Sequence, residues 1–133
     1  MIRIESKRVD VNASPQQVFD YLADMHNFKE LLPQDKITNW QSDGSSCSFK
    51  INGAYTIGLE HDKLNSPGQL ILKSAPIAPF KFTLDIKLEP TAGGTLAYQI
   101  CEADINPFLK MMVEGPLKNL FDYIADRLAK RFA

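Results

Sequence analysis

The sequence is poor in the residues that build metal sites and disulfide frameworks. It has two cysteines and two histidines in 133 residues. Cys47 and Cys101 are too few to staple a fold, and a reducing compartment keeps them as thiols. With His26 and His61 alone beside them, no CxxC or HxxxH spacing exists, so no structural zinc site is expected. Glu60, Asp62 and Asp104 are carboxylates without histidines at ligand spacing, and neither a metal nor a cofactor is expected. No run of about 18 apolar residues is present, which argues against stable insertion of a helix into a membrane. The N-terminus, MIRIESKRVDV, mixes charges with apolar residues from the start, predicting no signal peptide and a cytoplasmic location. An excess of one charge is also missing: 15 Lys and Arg face 16 Asp and Glu, a net charge of −1. Nucleic acid and anionic membranes ask for a basic surface, so neither is an expected partner. Internal repeats and low-complexity linkers are lacking too. The length suits one domain, residues 1–133, with a core that needs no staples.

What is present is punctuation and period. Ile2 to Val11 alternates apolar and polar but changes phase, which predicts a first strand with a bulge or bend around Ser6 to Arg8. Ser14-Pro15-Gln16-Gln17 is a helix start, with Ser14 as N-cap, Pro15 at the first position and Gln17 closing a capping box. Asn27-Phe28-Lys29-Glu30 repeats that pattern for a second short helix, which Pro33 stops. From Lys36 to Asp104, strand-length runs are separated by turn signals: Lys36 to Gln41, Ser46 to Ile51, Ala54 to Asp62, Gln69 to Ser74, Phe80 to Glu89 and Thr95 to Asp104. Asn52-Gly53 is the strongest turn, since a two-residue hairpin wants positive φ at both central positions. Counting the first, seven strands make one curved antiparallel sheet. Alternation puts Phe49 and Ile51, then Tyr55, Ile57 and Leu59, then Leu70 and Leu72, then Phe80, Phe82, Leu84, Ile86 and Leu88, and finally Leu96, Tyr98 and Ile100 on the buried face.

The last quarter, Asn106 to Ala133, predicts one long amphipathic helix. Asn106 is a good N-cap and Pro107 a good first residue. Leu109, Met112, Leu117, Leu120, Phe121, Ile124 and Leu128 recur at helical spacing and form one stripe. Gly115 and Pro116 interrupt it, and Pro116 removes a ladder hydrogen bond, so a kink is expected there. Before the kink, Phe108, Met111, Met112 and Val113 either pack as plain core or form the wall of a cavity. A sheet with one apolar face and a helix with one apolar stripe are complementary.

The order strand, two short helices, six strands and long C-terminal helix resembles the helix-grip fold of the SRPBCC superfamily, which includes START-like lipid-transfer domains and polyketide cyclase or dehydrase-like proteins. The residues that carry the resemblance are Val11-Asn12-Ala13-Ser14-Pro15-Gln16-Gln17-Val18-Phe19-Asp20-Tyr21-Leu22-Ala23-Asp24, Leu31-Leu32-Pro33, and Gly115-Pro116-Leu117. The likeness spans essentially the whole chain. It implies an α+β fold with a cavity between the sheet's inner face and the long helix, and it specifies fold far better than function.

Three functions compete. The first is a binding module, monomer or homodimer, that holds a small hydrophobic or aromatic molecule, or a lipid, against Phe28, Trp40, Tyr55, Ile57, Phe82, Leu84, Tyr98, Phe108, Met111 and Met112. The second is a cyclase or dehydrase-like enzyme. His61 follows Tyr55, Ile57 and Leu59 in phase, and Glu102 follows Leu96, Tyr98 and Ile100, so the two could meet at one end of the cavity as an acid–base pair. Against this, both could lie beyond the buried part of their strands and face solvent. The third is a protein-interaction module using the wet sheet face or the apolar loop from Ser74 to Phe80, whose Ile77 and Phe80 would form a lid or an interface. Cys47 reads as a small hydrophobe in phase with Phe49, and Cys101 falls on the opposite face from Ile100, partly exposed.

Overall fold

The computed structural model describes residues 1–53, 55–78 and 80–133. Ala54, expected to open a strand, and Pro79, expected in the apolar loop, lie outside the described residues. The elements in chain order are β1 (Ile2–Glu5), β2 (Val9–Val11), α1 (Pro15–Ala23), a 3-10 turn (Met25–Asn27), α2 (Phe28–Leu31), β3 (Ile37–Ser42), β4 (Ser46–Ile51), β5 (Tyr55–Asn65), β6 (Gln69–Ser74), β7 (Lys81–Thr91), β8 (Gly94–Asp104) and α3 (Pro107–Arg131). One antiparallel sheet runs in the order β1-β8-β7-β6-β5-β4-β3, and β2 also pairs with β8. The fold is therefore α+β, an open antiparallel sheet gripping a long C-terminal helix.

The first strand is split where its hydrophobic phase changes, which turns seven expected strands into eight segments. At the break, the Ser6 N–H donates to the Gln99 carbonyl and the Gln99 N–H donates to Ser6 Oγ, both at 2.9 Å. A side-chain oxygen thus replaces one carbonyl of the ladder. The freed backbone of Lys7 donates to Asp122 Oδ1 at 2.7 Å, and Lys7 Nζ lies 2.8 Å from Asp126 Oδ1. The bend therefore ties the sheet edge to α3.

At the start of α1, Ser14 Oγ accepts from the Gln17 N–H while Gln17 Oε1 accepts from the Ser14 N–H, the reciprocal capping box. The second capping box does not form. Asn27 is already helical (φ −70°, ψ −19°), its Nδ2 donates to the Tyr21 carbonyl at 2.8 Å, and Glu30 accepts from the Tyr21 hydroxyl at 2.9 Å. The turn between the two helices is too tight for an extended cap residue, and Asp24 caps the 3-10 turn instead by accepting from the His26 N–H.

Along β8 the register corrects the expected facing. Leu84 lies opposite Cys101, Ile86 opposite Gln99 and Leu88 opposite Ala97, and directly opposed residues share a face. Thr95, Ala97, Gln99, Cys101 and Ala103 therefore look inward, while Leu96, Tyr98 and Ile100 look outward. Alternation misleads here because β8 is apolar on both faces. Cys101, expected on the outer side, is buried on the inner face, and Cys47 is buried as well. Burial pushes each thiol up to about 12, with the Glu102 charge adding to the shift at Cys101.

Helix α3 is capped by Asn106, whose Oδ1 accepts from the Leu109 N–H at 2.8 Å, and it continues past Pro116 to Arg131. It leans on β1, β2, β8 and α2, while α1 covers β6, β7 and β8. Its buried residues are Val113, Leu120, Phe121, Ile124, Ala125 and Leu128. The small inner residues of β8 allow this close approach, and Gln99 Nε2 donates to the Phe121 carbonyl at 3.0 Å across it.

Two outcomes follow from these features. Gly94 has φ +148°, and a Cβ there would fall 2.3 Å from the Val11 carbonyl oxygen, whereas a Cβ at Gly93 would meet nothing within 4 Å. Gly94→Ala should cost about 2 to 4 kcal/mol in urea unfolding and Gly93→Ala less than about 1 kcal/mol. The thiols predict an alkaline dependence. Their folded pKa values are raised from 9.0 to about 12, so the native state keeps protons that the unfolded chain releases, and stability falls as pH rises through that interval. The urea midpoint should drop between pH 9 and pH 11, and less steeply in the Cys47→Ala/Cys101→Ala variant.

Candidate functional site

Between α3 and the inner face of the sheet lies a cavity of about 760 Å³. Its sheet wall is built by Phe49 on β4, Ile57 and Leu59 on β5, Phe82 and Leu84 on β7, and Cys101 on β8. These six follow from register: Phe49 opposes Ile57, and Leu84 opposes Cys101, so all present one face. Phe28 on α2 and Leu32 just after it, both buried, close one side, and Leu120, Phe121 and Ile124 close the other from α3. The remaining boundary is a rim where the β4–β5 turn, the α2–β3 connection and the middle of α3 converge. It carries Asn52, Tyr55, Asp35, Lys36, Asn119 and Tyr123. The rim is shaped by the turn backbone, since the Asn52 N–H donates to the Lys36 carbonyl at 2.7 Å and the Lys36 N–H to that of Pro33 at 2.9 Å.

Of the ten residues proposed from sequence as ligand contacts, six border this cavity: Phe28, Tyr55, Ile57, Phe82, Leu84 and Met112. Trp40 does not. It follows Asn39, whose φ is +55°, at a register shift in β3, and it stacks on Phe49 with ring centroids 6.2 Å apart. Tyr98 stands on the outer face, where the Arg8 guanidinium lies 4.0 Å from its ring centroid and its hydroxyl donates to Glu89. Phe108 and Met111 are 72% and 86% exposed. They lie on the solvent side of the first turns of α3, so the cavity wall on the helix begins at Met112 and continues past Pro116 rather than ending before it. The wall residues passed over in the sequence were legible there. Leu120, Phe121 and Ile124 lie in the α3 stripe, and Phe49 and Leu59 lie on the inner face; only Cys101 required the register.

The proposed acid–base pair is not assembled. His61 has the inward register, opposite Leu72, yet it stands beyond the cavity wall, and its Nε2 is buried without a hydrogen-bond partner among the described residues. Glu102 lies opposite Thr83 and Arg3, on the outer face, and is exposed. Strands β6 and β7 separate the two parent strands, roughly 14 Å at ordinary strand spacing. Among the described residues, no group of three or more His, Cys, Asp or Glu is arranged to hold a metal ion, and no helix is long and apolar enough to cross a membrane.

The apolar loop divides its two hydrophobes. Phe80 borders the cavity. Ile77 folds over Gly58, where a Cβ would come within 2.9 Å of Ile77 Cγ2 and 2.7 Å of Ala75 Cβ. Gly58 lies between the inward Ile57 and Leu59, so Ile77 covers the outer face of β5 and does not close the cavity.

This architecture recurs in solved structures. XoxI from Bacillus cereus superimposes with a TM-score of 0.77 at 14% identity, covering 99% of this chain and 96% of its own. An uncharacterized protein from Bacillus thuringiensis gives 0.75 at 14%, covering 98% of each chain. Protein TTHA0849 from Thermus thermophilus gives 0.67 at 14%, covering 98% and 97%. At such identities the likeness concerns the fold alone. No curated protein matches the sequence. The family model described as polyketide cyclase / dehydrase and lipid transport matches residues 1–133, and the chain belongs to that family.

Proposed function

We propose that the protein binds a small, predominantly apolar molecule in the cavity between α3 and the inner face of the sheet. The observation that carries this reading is a space of about 760 Å³ whose deep walls are Phe, Leu, Ile and Cys side chains and whose polar groups stand at the rim. Small-molecule pockets have roughly this size, 300 to 1,000 Å³, and this division between an apolar body and a few polar groups. A void of about 760 Å³ would cost about 18 kcal/mol if empty apolar space were simply tolerated, at about 24 cal/mol per Å³; an open mouth that admits water or a ligand removes that difficulty. The family description, which includes lipid transport, agrees with an apolar cargo. The enzyme reading has lost the pair on which it rested, because His61 and Glu102 face different sides of the sheet.

Gently purified protein examined by native mass spectrometry should carry a co-purifying apolar molecule, or take one up from a hydrophobic library with a rise in Tm. A protein that stays ligand-free and unshifted throughout contradicts the proposal. Affinity should respond to the cavity wall and not to the apolar residues outside it. Ile57→Trp fills the space and should weaken binding at least about tenfold, about 1.4 kcal/mol. Tyr98→Phe and Met111→Ala should change it less than about twofold. Equal affinity in all three variants would place the ligand elsewhere.

A further inference from the structure

The inner row of β8 is made of small side chains with one exception. Thr95, Ala97, Cys101 and Ala103 share that face with Gln99, a long amide that is only 3% exposed. Gln99 Nε2 donates to the Phe121 carbonyl at 3.0 Å, while its Oε1 is buried and accepts from no group among the described residues. An unpaired buried acceptor works against stability, and an apolar side chain of similar length would avoid that cost. What the amide adds is a directed bond of fixed length between the sheet and the helix. The backbone of Gln99 is fastened too, through its paired bonds with Ser6 at the strand break, and the residue after Ser6, Lys7, reaches Asp122 and Asp126. One polar bridge thus joins the sheet to the turns of α3 that carry Leu120, Phe121 and Ile124, the helix wall of the cavity.

Packing beside the bridge is incomplete. A second space, of about 10 Å³, lies under the same turns and is bordered by Ile86, Ala97, Gln99, Ile124 and Ala125, so α3 does not settle fully onto β7 and β8 at this point. Apolar walls on either side of unfilled space are drawn together, because each void forfeits the contacts that close packing gives. Movement of α3 toward the sheet would fill both spaces. The bond from Gln99 fixes the separation and opposes that movement.

We infer that Gln99 is a positioning residue, a strut that holds α3 at the height above the sheet that keeps the cavity open to a ligand. It does not border the cavity and acts through Phe121, which does. This rests on the cavity-binding reading above and adds to it the residue that sets where the helix wall stands. A buried amide that an apolar residue would outdo in stability is the kind of compromise that a binding site imposes on a fold.

The test uses N-phenyl-1-naphthylamine, a neutral apolar fluorophore, as the ligand, with urea unfolding measured on the same samples. Gln99→Met puts an adaptable apolar chain of similar length in place of the amide. Its urea midpoint should equal or exceed that of the wild type, while its affinity for the fluorophore falls at least about tenfold. Gln99→Glu at pH 5, where burial keeps the carboxyl neutral and able to donate to the Phe121 carbonyl, should bind within about threefold of the wild type at the same pH. Wild-type affinity in Gln99→Met overturns the inference and leaves the cavity reading standing. So does an affinity that drops only along with the urea midpoint, or a Gln99→Met chain that does not fold, since Gln99 would then be an ordinary part of the core. Failure of Gln99→Glu to recover binding overturns it as well, because the bond to Phe121 is then not what matters. A fluorophore that does not bind the wild type, or that binds Ile57→Trp as tightly, counts against the cavity reading itself, and the inference falls with it.

Discussion

A helix about 10 to 12 Å across cannot cover the inner face of a sheet seven strands wide, roughly 30 Å at ordinary spacing. Everything else in this structure is a response to that mismatch. The sheet offers an apolar face that must be kept from water, and α3, at 25 residues, is long enough to span the domain but only one helix wide. The chain resolves the conflict by seating α3 to one side. It leans against β1, β2 and β8, where small inward residues, Ala97, Cys101 and Ala103, let the backbones approach. The α1–α2 region covers another part. What is left, in front of Phe49, Ile57, Leu59 and Leu84, is walled on three sides, open at the rim and not filled.

The seat is held by polar contacts as well as by packing. The break between β1 and β2 frees Lys7 to reach Asp122 and Asp126 on α3, and Gln99 reaches the Phe121 carbonyl from the sheet's inner face. These bonds lie on the last half of the helix. They fix it at one end, leaving the stretch around Met112 and Pro116 with little beneath it but the cavity. At the start of the helix Phe108 and Met111 face solvent while Val113 is buried.

Elements governed by local chemistry were the most legible in sequence. Ser14 and Gln17 announce a helix start, Asn106-Pro107 another, and the phase change near Ser6 announces a strand break, because caps and alternation depend on neighbours a few residues apart. Sites governed by pairing were not. Tyr98 and Cys101 exchanged faces because β8 is apolar on both sides, and only its register against β7 decides which side is inward. Asn27 looked like a cap but is drawn into a helical turn by its bond to Tyr21. Phe108 and Met111 had the composition of a cavity wall, yet which side of a helical turn meets the sheet depends on where the helix is seated, and both face solvent. Of the candidate contacts, those on strands with one wet face, Ile57, Phe82 and Leu84, could be assigned from alternation alone.

The central claim is that the unfilled space is where a ligand goes. It is tested most directly by a methyl-selective NMR titration with an apolar alcohol. The account predicts shifts concentrated in Ile57, Leu59, Leu84, Met112, Leu120 and Ile124, with Ile77 and Leu128 unmoved. Shifts concentrated in Ile77 and Met111, or none in the cavity methyls at saturating ligand, would contradict it.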